Sequence, residues 1–114
     1  MLFMKIRRLN IAAAITALMF ACQAGATEDA AAFKALAKKK GCFNCHRMDK
    51  PVLGPSLQAI GRKYGKDAGA PDRLFGIIRH GSKGGVWGEA AMPRYAGLSD
   101  DEINLMVRYI LSLK

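Results

Sequence analysis

Acidic residues are scarce in this chain: nine Asp and Glu stand against 18 Lys and Arg, a net charge of +9 over 114 residues. Aromatics are few, with one tryptophan, and there are three cysteines and four prolines. No segment alternates apolar and polar side chains in the manner of a half-buried strand, which argues against a sheet-built fold. There is no internal repeat, which excludes a solenoid, and no low-complexity stretch after residue 26. The longest apolar run is well short of the roughly 20 residues needed to span a bilayer. A basic chain can bind anionic surfaces, but no basic–aromatic stripe of the kind that grips single strands is present, so nucleic acid is not an expected partner.

Residues 1–26 read as a tripartite export signal. Lys5, Arg7 and Arg8 form a basic start, Ile11 to Ala21 is an apolar stretch, and Ala24-Gly25-Ala26 fits a cleavage site. Removal of this segment leaves residues 27–114 as one small domain and places the protein in the periplasm. It also removes Cys22, so that only Cys42 and Cys45 remain. A lipid anchor on Cys22 is the alternative, and the bulky Phe20 beside it argues against that. The expected product has no stable membrane insertion and is a monomer.

What is present, and most informative, is Cys42-Phe43-Asn44-Cys45-His46. Two thiols three positions apart, followed at once by histidine, form the attachment pattern for c-type haem. Each thiol adds across one vinyl group of the porphyrin, so the two linkers must leave from adjacent edges of one flat ring. The next residue must then place an imidazole over the iron. Cys42 and Cys45 are read as the thioether anchors and His46 as the proximal ligand. The rivals are a redox disulfide, which lacks a βαβ context, and a zinc site, which lacks a second ligand pair.

The region after residue 26 reads as four to five short helices. The first is expected from about Glu28 to Lys40, with Thr27 as a candidate cap. Acidic residues lie at its start, Lys38, Lys39 and Lys40 at its end, and Gly41 provides a left-handed stop. Phe33, Leu36 and Ala37 form its apolar stripe. Residues 47–55 are a loop, and Ser56 caps a helix carrying Leu57, Ile60 and Tyr64. Pro71 opens another helix, which bears Leu74, Phe75, Ile77 and Ile78 and closes at Gly81. Ser99 with Glu102 is a capping box, and Leu98 and Ile103 supply the hydrophobic staple. Ile103, Met106, Ile110 and Leu113 face one way on the last helix. So small a helical domain commonly needs a staple, and a covalently held porphyrin supplies one.

Opposite His46 the iron has a second axial position, for which Met48, Met92, Met106, His80 or no side chain are the candidates. Met48 is too near His46 in sequence to reach around the ring. Met106 sits on a core stripe, and His80 at a helix end suits the macrodipole. Met92 lies between helices and is followed by Pro93, which holds it away from helical geometry. It is the preferred distal ligand.

The chain resembles class I cytochromes c, and within them the small bacterial cytochrome c-551 type. The resemblance rests on Gly41 to His46, Gly54-Pro55-Ser56-Leu57, Gly85-Val86-Trp87-Gly88, Met92-Pro93 and Leu98 to Glu102, and covers nearly all of the region after residue 26. It implies an all-α fold, a small cytochrome c wrapped around one covalently bound haem c. It also implies that the carbonyl of Pro55 accepts a hydrogen bond from His46 and that Trp87 donates to a haem propionate. The first and last helices are expected to cross, with Leu36 and Ala37 against Tyr109 and Ile110. The chain departs from close relatives in having Ala91 before Met92, Tyr95 three residues after it, and the pair Gly84-Gly85 before Val86.

These readings point to a one-electron carrier and not an enzyme. With His46 and Met92 filling both axial positions, substrate has no way to the iron. Expected partners are redox proteins with acidic or apolar docking surfaces: a quinol-oxidising complex, a nitrite reductase, a terminal oxidase or a peroxidase. Lys38, Lys39, Lys40, Arg47, Lys50, Arg62, Lys63 and Lys66 flank the haem loop in sequence and are suited to steering acidic partners. The alternatives are a dedicated cytochrome subunit of a periplasmic oxidoreductase, or a sensory haem protein with an open iron site.

Overall fold

The computed structural model describes residues 25–114. The expected export signal at 1–26 and its Cys22 therefore lie, apart from residues 25 and 26, outside the described residues. Ala32–Lys114 forms a compact unit of its own, and the core and the cavity belong wholly to it.

Four α-helices and one 3-10 turn make up the described chain: α1 at 25–40, the 3-10 turn Cys42–Asn44, α2 Leu57–Tyr64, α3 Ala70–His80 and α4 Asp100–Ser112. Among the described residues the only β pairings are isolated bridges, as an all-α fold requires. Residues 25 and 26 are already helical, so Thr27 lies inside α1 rather than capping it. Gly41, at φ 76° and ψ 16°, takes the left-handed conformation that ends the helix.

Each later helix starts where the local chemistry places it. The Ser56 hydroxyl accepts from the N–H of Ala59 at 3.1 Å, and Ser56 is itself buried. Pro71 occupies the first turn of α3, and Gly81 closes it. Ser99 and Glu102 form the full reciprocal box, at 3.1 and 2.8 Å. Capping of this kind is worth about 1 kcal/mol.

The core joins Phe33 and Ala37 to Leu57, Ile60, Leu74, Ile78 and Leu98, and to Ile103, Met106, Val107 and Ile110. The last four sit at i, i+3, i+4 and i+7, so α4 is the helix against which the others pack. Val107 completes that stripe, whereas Leu113, just past the helix end, is only partly buried. α1 meets α4 through Phe33, whose ring stacks on Tyr109 with centroids 4.4 Å apart. The aromatic pair lies at the expected crossing, and Ala37 and Ile110 are buried in the same core with Leu36 and Tyr109 packed against it. α2 approaches α4 at Gly61, where a Cβ would lie 2.5 Å from the Leu113 carbonyl and 2.6 Å from that of Ile110. Only glycine permits that approach.

Candidate functional site

The helices enclose an apolar cavity of about 310 Å³ that opens to solvent. All six residues singled out in sequence, Cys42, Cys45, His46, Pro55, Trp87 and Met92, line it. They arrive from two segments, one between α1 and α2 and one between α3 and α4, so the cavity is assembled by tertiary structure.

The cysteine segment follows α1 as one tight turn. The N–H groups of Cys45 and His46 both donate to the Cys42 carbonyl, at 3.2 and 3.0 Å. A 3-10 turn eclipses side chains at i and i+3, which is the relation of Cys42 to Cys45. The two are not joined in a disulfide. Burial pushes the Cys42 thiol above its ordinary pKa, with the nearby Cys45 adding to the rise against an opposing backbone hydrogen bond. Among the described residues no group of three or more His, Cys, Asp or Glu could hold a metal ion, so a zinc site has no ligand set there.

His46 Nδ1 lies 2.8 Å from the Pro55 carbonyl oxygen. A carbonyl only accepts, so Nδ1 carries the proton and donates, leaving the Nε2 lone pair free for a metal. Gly54 lies flush against the ring: a Cβ there would come within 2.5 Å of Cε1. The Gly54-Pro55 pair is therefore a cradle for the imidazole. The motif was visible in sequence, but the reason for the glycine was not.

Met92 is fixed by a two-way bridge with Ser82, whose bonds measure 2.9 and 3.0 Å. Gly81, at φ 77°, makes room for it, since a Cβ would sit 2.6 Å from the Met92 carbonyl. Of the other candidates, Met48 and His80 do not line the cavity, and His80 is exposed. Met106 does reach the cavity wall, from the buried face of α4, where it is 2% exposed and part of the core. Tyr95 also lines the cavity, and burial raises its phenol pKa.

Trp87 stands at the rim, 42% exposed, beside Val86 and Leu53. Its ring meets Tyr64 edge-on at 6.4 Å, and Lys63 Nζ sits 5.6 Å from the Tyr64 ring and 5.9 Å from that of Trp87. Tyr64 was read only as a core residue of α2, and its contact with Trp87 spans a loop and a helix that no spacing rule connects.

A deep apolar slot, paired thiols on one turn and a histidine with its metal-binding nitrogen free together define a small helical protein built around a flat, covalently held cofactor. Residues 28–110 match the family model described as cytochrome C oxidase, cbb3-type, subunit III. The chain is 39% identical over 101 residues to cytochrome c-552 of Nitrosomonas europaea, covering 89% of this chain and 91% of that protein. It is 40% identical over 79 residues to cytochrome c-551 of Pseudomonas aeruginosa, covering 69% and 74%. The crystal structure of the wild-type Nitrosomonas europaea cytochrome c552 superposes with a TM-score of 0.66 at 40% identity, covering 71% of this chain and 99% of that one. The class 1 cytochrome MtoD from Sideroxydans lithotrophicus gives 0.64 at 30% identity, covering 74% and 95%.

The chain belongs to the class I c-type cytochromes, in the small bacterial c-551/c-552 group. It is accordingly a monohaem electron carrier and not an enzyme, with one haem c held covalently at Cys42 and Cys45.

Proposed function

We propose that His46 and Met92 are the axial ligands of the haem iron, and that the protein is an exported, monomeric shuttle moving single electrons between respiratory partners in the periplasm. The observation that carries this reading is the His46–Pro55 hydrogen bond on the wall of the cavity that Met92 also lines. When bound, haem c supplies an iron that accepts and releases one electron. Pro55 holds the imidazole in the ligating tautomer, and the Ser82 bridge holds Met92. Trp87, which lines the cavity and is partly exposed, would offer its indole N–H to a haem propionate. A thioether ligand favours the ferrous state relative to a second imidazole. Side chains fixed in both redox states keep reorganisation small.

Export rests on the basic start, apolar stretch and cleavage site at 1–26. No helix among the described residues is long and apolar enough to cross a membrane. Docking uses the cavity rim, where Leu53 and Val86 are exposed and Lys63 lies beside Trp87. This surface suits acidic or apolar patches on a quinol-oxidising complex, nitrite reductase, terminal oxidase or peroxidase.

A second reading, a dedicated subunit of an oxidoreductase, draws on the description of the matched family model. The free carrier is favoured because the chain covers 91% of the small cytochrome c-552 of Nitrosomonas europaea and aligns with 99% of the chain in that protein's crystal structure. Gel filtration of native material separates the two.

The ligand assignment is tested by the near-infrared spectrum of the oxidised protein. A weak sulfur-to-iron charge-transfer band is expected, and Met92→Ala should abolish it. A band that survives in that variant refutes Met92.

A further inference from the structure

Arg79 lies in the last turn of α3, where a cation is accounted for by the helix dipole alone. Its guanidinium does something more specific. Nη1 donates to the carbonyls of Ala96 at 3.1 Å and Leu98 at 2.6 Å, and Nη2 donates to Asp100 Oδ1 at 2.6 Å. The same group lies 5.6 Å from the Phe75 ring, and its side chain is only 19% exposed. One planar fork thus ties the end of α3 to the segment that runs from Met92 to α4, and to the first residue of α4 itself.

That segment has few other fastenings. Upstream, Met92 pairs with Ser82, and the Tyr95 N–H donates to the Ile78 carbonyl at 2.9 Å. Downstream, between Tyr95 and the capping box at Ser99, the side chain that grips the backbone is Arg79. A charged donor to a half-buried carbonyl makes a stronger bond than a neutral one, and losing it strands the carbonyl. Without Arg79 the downstream end is held by the buried Leu98 side chain and its N–H bond to the Tyr95 carbonyl, but has lost its charged tie to α3, and swinging Met92 aside costs less.

We propose that Arg79 is a positioning residue that locks the Met92 loop, and so sets how readily an outside ligand displaces Met92 from the iron. The proposal rests on the assignment of Met92 as distal ligand. Arg79 does not line the cavity, and it acts through the backbone at Ala96 and Leu98.

The test titrates free imidazole against the oxidised haem protein and follows loss of the sulfur-to-iron band. Imidazole must displace Met92 to bind, so its apparent affinity reads the cost of opening the loop. Arg79→Gln should bind imidazole about tenfold or more tightly. Arg79→Lys keeps a cation for Asp100 but cannot reproduce the fork, and should show a smaller increase. Val107→Ala, a core truncation on α4 away from the cavity, should lower the melting temperature while leaving imidazole affinity at the wild-type value. The proposal is overturned if the Arg79 variants bind imidazole no better than Val107→Ala. Should the glutamine variant fail to fold, the lysine variant decides alone. A wild type that lacks the band removes Met92 as ligand and the lock with it, whereas a normal band with unshifted Arg79 variants removes the lock alone.

Discussion

Alanine at position 54 would place a Cβ 2.5 Å from Cε1 of His46, 2.9 Å from Nδ1 and 3.1 Å from Nε2. Carbon atoms in contact sit at roughly 3.5–4.0 Å, so the ring or the loop must give way by about 1 Å. Neither moves freely. The Gly54 N–H donates to the Cys45 carbonyl at 2.9 Å, and the Gly54 carbonyl accepts from Val52 at 3.1 Å, which ties this backbone to the cysteine turn. The ring is tied in turn to Pro55 at 2.8 Å. A retreat of about 1 Å stretches that bond beyond hydrogen-bonding range, at a cost of about 1–3 kcal/mol. Outer-shell losses of this kind typically weaken metal sites by about 10–100-fold. For a domain this small the melting temperature should fall by roughly 5–15 °C. The assay is thermal unfolding of the haem-loaded protein, followed by Soret absorbance and circular dichroism together. Gly76→Ala is the control: a Cβ there meets nothing within 4 Å in the middle of α3, so that variant should gain up to about 1 kcal/mol. A Gly54→Ala protein that melts with the wild type and keeps its spectrum would show that the imidazole cradle is not as the structure draws it.

The Cys42→Ala, Cys45→Ala double variant should lose covalent haem and most of its helical circular dichroism, because the residues lining the cavity then have nothing to pack around; a cooperative, native-like melt without haem would sink that claim. Electron exchange with an acidic partner, measured by stopped flow, should slow as salt approaches 0.1 M, where screening sets in beyond about 10 Å. Lys39→Glu or Lys50→Glu should lower the association rate and leave the spectrum unchanged, since both side chains are exposed. A flat salt dependence would shift the docking contact to the apolar rim at Leu53 and Val86.

Helix boundaries and the cysteine turn were legible in the sequence because they are short-range chemistry. Ser56 bonds three residues ahead, Ser99 and Glu102 bond each other, and Gly41 relieves strain at its own position. The spacing from Cys42 to His46 is likewise fixed by the porphyrin it must serve. Thr27 was misjudged as a cap because the helical pattern already extends upstream of it. The rest depended on which distant segments meet. Met92 and Met106 both reach the cavity wall, and only packing separates a methionine on a bridged loop from one buried on α4. The contact of Gly54 with His46, of Gly61 with the end of α4, and of Arg79 with the segment beyond Met92 pair residues that no local period connects. The sequence by itself determined the cofactor, the helices and where the last three begin. The tertiary structure decided which side chains surround the cofactor and what holds them, because those contacts exist only once helices far apart in the chain have closed on one another.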